Sequence, residues 1–299
     1  MFKFNLTRIC RLSITSLIAG ATIGVMTLTT PASAEVQFSF QDRDIARMVS
    51  LGGSCNGCEL SGRNLSGATF TGATFVDATL VGTNLRGAEM VGSNFSGSDF
   101  SRADLIGAGI LGANFTGANF TDASLMGIEA TGATLVRTRL SGANLSGSEM
   151  SGANMNGAVL VRANFSGAEV RGATLANVDA RSANFNNAEI DASNLSRGDF
   201  RSASFRNASL DGARLLNGRF ANADFSNASL NRTDIRSTDL SDVRGLTQSQ
   251  VNRACGDSET RLPAGLSVRL CRGISIMRSP SPPSPPVPPR RNFAMAMDD

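Results

Sequence analysis

Residues 141–160 read SGANLSGSEMSGANMNGAVL, and the same five-residue measure runs without a slip from Leu60 to Leu240. Every position divisible by five in that stretch is Leu, Phe, Met, Ile or Val, except Ala130 and Ala180, which makes 37 consecutive pentapeptides. Repetition at a fixed period is the first signal to read in any chain. A helix turns about 100° per residue, so a step of five scatters its apolar side chains around the axis. A straight strand fails as well, because a step of five puts successive apolar residues on opposite faces of the pleat. The chain must therefore turn once per repeat.

With the apolar residue as centre i, position i−2 is Ala 23 times in 37 and mostly another small residue otherwise. Residues two apart on extended backbone share a face. Position i+2 is Gly 19 times and Asn, Asp or Ser twelve more. These residues tolerate positive φ or bond their own backbone in turns. Each pentapeptide thus reads as three extended residues and a corner.

Two exceptions indicate that i−2 and i share one interior. Ala130 and Ala180 stand in the repeats that carry Ile128 and Val178 at i−2, so volume has moved within the repeat. A close-packed interior tolerates volume-conserving exchange best. The number of repeats per coil follows from the aromatics. Among the twelve Phe at i, seven pairs lie 20 residues apart, including Phe165, Phe185, Phe205 and Phe225, and none lies ten apart. Four pentapeptides per coil would stack like on like.

The motifs SRADL, LGANF, TGANF and VRANF carry a resemblance to the pentapeptide-repeat superfamily and its A-[DN]-[LF]-x-x pattern. The resemblance implies an all-β fold: a right-handed quadrilateral β-helix with i and i−2 inside. The 37 repeats would give about nine coils of 20 residues, a rod of roughly 45 Å at ~4.8 Å per coil.

The sequence divides into residues 1–34, a signal peptide; 35–58, an N-terminal cap; 59–242, the repeats; 243–273, a C-terminal cap; and 274–299, a Pro-rich tail. The first 34 residues combine Lys3, Arg8 and Arg11 with an apolar run from about Leu12 to Leu28 and the Ala32-Ser33-Ala34 site. That is the pattern of an export signal, with an uncleaved membrane anchor as the alternative. The expected location is an exported compartment, periplasmic, lumenal or extracellular, with membrane contact only through the signal. Beyond residue 34 the charges balance at 25 Arg and 25 Asp plus Glu, which leaves no basic footprint for nucleic acid. His is absent, removing His-based acid/base chemistry.

Four Cys remain after the signal, and an oxidising compartment makes disulfides the expectation. Cys55 and Cys58 frame the start of the repeats, with Cys58 in an inward i−2 slot, and read as a staple at the open end; a redox-active C-x-x-C is the alternative. Cys255 and Cys271 are expected to pair with each other, and Cys-closed tails also follow exported members of the family by resemblance. Solenoid ends need covering. Asp42 to Met48 is a candidate cap helix, and Thr247-Gln248-Ser249-Gln250 matches a capping box ahead of a second, with Leu246 and Val251 resting on the last coil. Seven Pro between Pro280 and Pro289 predict an extended spacer, or a docking site for a Pro-binding partner.

Function is therefore sought on the sides. Glu129, Glu149, Glu169 and Glu189 stack at i−1 on one face, with Glu89 two coils earlier. A solvated row of acids is one reading and a divalent-cation site the other. On the adjacent face Asn64, Asn84, Asp104, Ser124, Asn144, Asn164 and Asn184 should bond coil to coil as support. At i+1, Val91 falls below Leu111 and Ile106 below Met126, a candidate partner patch or self-association surface.

No catalytic residue and no cofactor is expected. The reading is a non-enzymatic exported scaffold that presents flat faces to a protein or envelope partner. A cation-binding envelope protein is one alternative. Another, implied by the resemblance alone, is a DNA-mimicking topoisomerase binder, which the signal and the neutral charge oppose.

Overall fold

The computed structural model describes residues 53–271. The expected signal peptide, the helix expected at Asp42 to Met48 and the Pro-rich tail lie outside the described residues. Across the repeats the backbone makes one parallel bridge per side per coil, always at i−1 and always to the residue 20 further on, as in Asn144 to Asn164 to Asn184. Each bridge is bracketed by two hydrogen bonds: Leu145 N donates to Asn164 O at 2.7 Å, and Asn164 N to Ala143 O at 2.9 Å. Four five-residue sides therefore close each coil, as the Phe spacing predicts.

The corners are β-turns closed by the residue three beyond the centre, as where Ala143 N donates to Leu140 O at 3.0 Å. Their third residue takes positive φ, so Gly is favoured there, but Gly is not the rule throughout. Arg102, Arg137, Arg162, Arg197, Arg232 and Ala192 adopt the same left-handed conformation, with φ between 55 and 59°. The ladder on either side fixes the corner, and these residues accept its conformational cost of about 1 kcal/mol or more.

The interior is filled by the i and i−2 side chains. All twelve repeat Phe are fully buried, and Ile128, Ala130, Val178 and Ala180 are buried together, as the volume exchange requires. Phe165, Phe185, Phe205 and Phe225 form one column with ring centroids 5.0 to 5.1 Å apart. Gly198 and Gly218 occupy i−2 where the rings of Phe200 and Phe220 lie over them, and a Cβ would meet those rings at 2.4 and 2.5 Å. Hydroxyls at i−2 spend themselves on carbonyls: Thr83 donates to Leu60 O, Ser193 to Val170 O and Thr233 to Leu210 O. Among the described residues no buried side-chain polar atom is left without a partner.

Both ends of the rod extend past the expected boundaries. At the start, Ser54 already bridges Thr74, so residues 54–58 belong to the first coil rather than to a cap. At the other end the five-residue register stops beyond Leu240 as expected, but the backbone ladder continues: Asp224 bridges Arg244, Asp234 bridges Cys255 and Asp239 bridges Arg261. The ladder survives slips of one and then two residues because α1, Gln248–Val251, replaces one side. Thr247 caps α1 with Gln250 closing the box. The Gln250 amide also donates to Phe225 O and Ala228 O at 2.8 and 2.9 Å, covering edge carbonyls of the coil below. Val251 is buried and Leu246 packs against the core. Cys55 pairs with Cys58, and Cys255 with Cys271.

Candidate functional site

The side centred on residues 90, 110 and 130 carries the expected patch around Gly109. Val91, Leu111 and Met126 are 37, 36 and 41% exposed and, with Leu270, are the most exposed large apolar side chains among the described residues; Val76, Val81, Val136, Val161 and Leu216 on other corners are half-buried. Ile106 is only half-buried and completes the group. The stacking follows from the coil: Gly92 N donates to Leu111 O and Gly107 N to Met126 O, so Val91 lies below Leu111 and Ile106 below Met126. Gly109 sits between these two columns, in the row that bridges Glu89 to Glu129. With no Cβ there, the Glu89 carboxylate leans inward until its Oε2 lies 2.6 Å from where a Cβ would stand.

Glu129, Glu149, Glu169 and Glu189 stack as expected, each bridged to the next. They do not converge as a metal centre. Arg171 binds both Glu169 and Glu189, drawing the upper two carboxylates to a guanidinium. Among the described residues no group of three or more His, Cys, Asp or Glu is placed to hold a metal ion.

The amide ladder on the next face is present, with breaks at Asp104 and Ser124. Asn84 donates to Asn64, Asn164 to Asn144 and Asn184 to Asn164, each at 3.0 Å. The Oδ1 of Asn144, Asn164 and Asn184 also accepts the backbone N–H two residues on, an Asx turn that pins each corner. This ladder is structural support.

Sequence reasoning missed the arginines of the upper coils. Arg181 grips Asp179 through two nitrogens at 2.8 Å, and Arg201 and Arg236 hold Asp199 and Asp234 in the same way two residues away. The Arg181 hydrogen bond holds the Asp179 carboxyl below the usual carboxylate range. At Asp199 burial works against the charge, but the hydrogen bonds from Arg201 outweigh it and the carboxyl is again lowered. The signal was available as D-x-R at i−1 and i+1 of one repeat. Arg162, Arg181 and Arg201 line one open depression, and Arg201 also borders a second with Arg219 and Asp239.

Among the described residues no helix is long and apolar enough to cross a membrane. No curated protein matches the chain in sequence. Among solved structures, it is similar to HetL of the cyanobacterium Nostoc, a pentapeptide repeat protein involved in heterocyst differentiation regulation, at 27% identity over 77% of this chain and all of that one, with a TM-score of 0.44. It is also similar to QnrB1, a plasmid-mediated fluoroquinolone resistance protein, at 17% identity over 70% of this chain and 91% of that one, TM-score 0.34. A pentapeptide repeat protein of the Arabidopsis thaliana thylakoid lumen aligns at 23% identity over 48% of this chain and 80% of that one, TM-score 0.22. The pentapeptide-repeat family model matches in eight copies over residues 54–90, 90–122, 123–160, 158–197 and 203–242. The chain belongs to the pentapeptide-repeat family, and its fold is that family's right-handed quadrilateral β-helix.

Proposed function

We propose that the mature chain is a non-enzymatic scaffold of an exported compartment that binds a protein partner through the sides of its rod. The observation that carries this reading is the group Val91, Ile106, Leu111 and Met126, stacked on two coils, with Ile106 half-buried and the other three exposed. Contiguous exposed apolar side chains mark contact surfaces, whereas scattered ones do not. The signal-like first 34 residues and the two disulfides support export, since disulfides persist in oxidising compartments. Topoisomerase binding by mimicry of DNA fits less well, because the chain beyond residue 34 balances 25 Arg against 25 acids.

The test is capture from an envelope fraction by the mature protein and by its Leu111→Asp, Met126→Asp variant. Both side chains project outward, so the variant should keep the far-UV spectrum and melting temperature of the parent while losing captured protein. Equal capture by the two, together with equal sedimentation as monomers, contradicts the proposal.

A further inference from the structure

We infer that the chain's own segment from Val287 to Met297 docks on the Gly109 patch of the same rod and covers it until a partner displaces it. The inference rests on the reading of that patch as the rod's contact surface.

Size is the first argument. A stable interface between folded proteins buries about 800 Å² on each side, far more than four side chains around one glycine offer. A short peptide segment can fill this surface by itself, whereas a folded partner would extend its contact beyond the patch along the sides of the rod.

Charge is the second. Glu89 leans over Gly109 at the centre of the patch and Glu129 follows in the next coil, and among the described residues neither has an ion-pair partner. Two copies of the patch face to face would oppose carboxylate to carboxylate, which disfavours symmetric self-pairing. The surface asks for a cation beside adaptable apolar side chains. VPPRRNFAMAM, residues 287–297, supplies Arg290 and Arg291 followed by Phe293, Met295 and Met297. Methionine suits an irregular apolar surface because its chain is unbranched and adjusts to what it meets.

Reach is the third. From the rung of Asn114 the ladder climbs through Thr134, Asn154, Thr174, Asn194, Arg214 and Asp234 to Cys255, and Gly256 bridges Leu270 beside Cys271. These eight steps amount to roughly 38 Å at ~4.8 Å each. The chain from Cys271 to Arg290 spans up to about 59 Å at ~3.1 Å per residue, so the segment reaches its own patch. Tethering supplies an effective concentration on the order of millimolar, enough to populate a contact this small.

The protein contains neither Trp nor Tyr, so Phe293→Trp in the full mature chain is a solitary fluorescent reporter. Docking predicts blue-shifted emission and slow acrylamide quenching, both lost when Leu111→Asp and Met126→Asp are added and both weakened by Glu89→Gln with Glu129→Gln. The shift should survive dilution. Emission and quenching that are identical with and without the patch substitutions overturn the inference. So does a shift that fades on dilution, which would assign the docking to a second copy. Far-UV spectra of each variant confirm an intact rod. In the capture assay, Arg290→Glu with Arg291→Glu should raise capture by the otherwise unchanged chain. Capture that depends on Leu111 and Met126, beside a reporter indifferent to them, removes the docking and leaves the interface reading standing. The reverse pattern removes the interface reading and leaves the docking.

Discussion

The two halves of the rod share one backbone and differ in how they turn and how they are charged. Of the seventeen non-glycine residues at positive φ, fourteen lie at or beyond Arg137; the corners before it are nearly all glycine. From Glu59 to Leu135 seven acids face three Arg, and from Val136 to Leu240 ten acids face twelve Arg. In the second half these charges largely satisfy one another, through Arg181 with Asp179, Arg201 and Arg219 with Asp199, and Arg236 with Asp234. In the first half Arg86 pairs with Asp104, while Glu89 stands in the apolar patch. The difference teaches that regular winding sets the corner conformation whatever residue occupies it, and that surface chemistry is then free to diverge. One half pairs several of its charges within the rod, and the other carries the exposed Val91, Leu111 and Met126.

The ends sharpen this contrast first, with the largest effect. The Cys255 to Cys271 bridge closes a loop sixteen residues apart in sequence, and the Cys55 to Cys58 bridge only three. On the chain-entropy account the longer loop contributes about 3 kcal/mol and the shorter about 1 kcal/mol less. Replacing Cys255 and Cys271 by Ser should therefore lower the urea midpoint more than replacing Cys55 and Cys58. The opposite order would mean that the first coils, not the slipped C-terminal rungs, limit stability.

The corners come next. Gly112 has φ +60 and open space where a Cβ would stand, so Gly112→Ala reports backbone strain alone. It should cost about 1 kcal/mol. Ala192 sits at φ 56 in the other half, and Ala192→Gly should gain about half as much, the remainder going to the looser unfolded chain. Equal and negligible shifts in denaturation midpoint would break the claim that the ladder imposes the corner.

Acid gives the smallest effect and is read in the second half. Asp179, Asp199, Asp211, Asp224, Asp234 and Asp239, all in the second half, are held below the usual carboxylate range, at Asp179 by Arg181 and at Asp239 by Ser241. A lowered folded value means the unfolded chain binds more protons in acid. The stabilisation is complete above the unfolded value near 4 and is lost as pH falls through the folded values. Asp179→Asn with Asp199→Asn should flatten the fall in urea midpoint below about pH 4, and only slightly, because solvent screens both exposed pairs. A fall of unchanged steepness would place the acid sensitivity elsewhere.

Much of this was legible in the residues themselves. The exchange of volume between Ile128 and Ala130 identified the inward positions, the Phe spacing counted the coil, and Asn144, Asn164 and Asn184 announced their ladder. The arginine corners were not legible, because local preference argues against Arg102 or Arg162 at positive φ and the ladder on either side overrides it. Nor was the slipped pairing of Cys255 and Arg261, since no period survives there to be read. The four glutamates were legible as a column but not in their pairing, because Arg171 reaches two of them from outside the i−1 row. The patch was visible as spacing, and the structure added Gly109 and the inclined Glu89 at its centre.

Everything above depends on side chains at i facing inward and their neighbours facing out, and adjacent residues test this directly. Phe185 lies between Phe165 and Phe205 with ring centroids 5.0 and 5.1 Å away, while Asn186 is the next residue and projects from the corner. In parallel urea titrations, Phe185→Asp should bury an unpaired charge and abolish cooperative folding, or cost more than about 4 kcal/mol. Asn186→Asp should stay within about 1 kcal/mol of the parent, its amide oxygen's bonds to Ser204 and Arg206 being ones a carboxylate also accepts. Equal stability of the two variants would contradict the account.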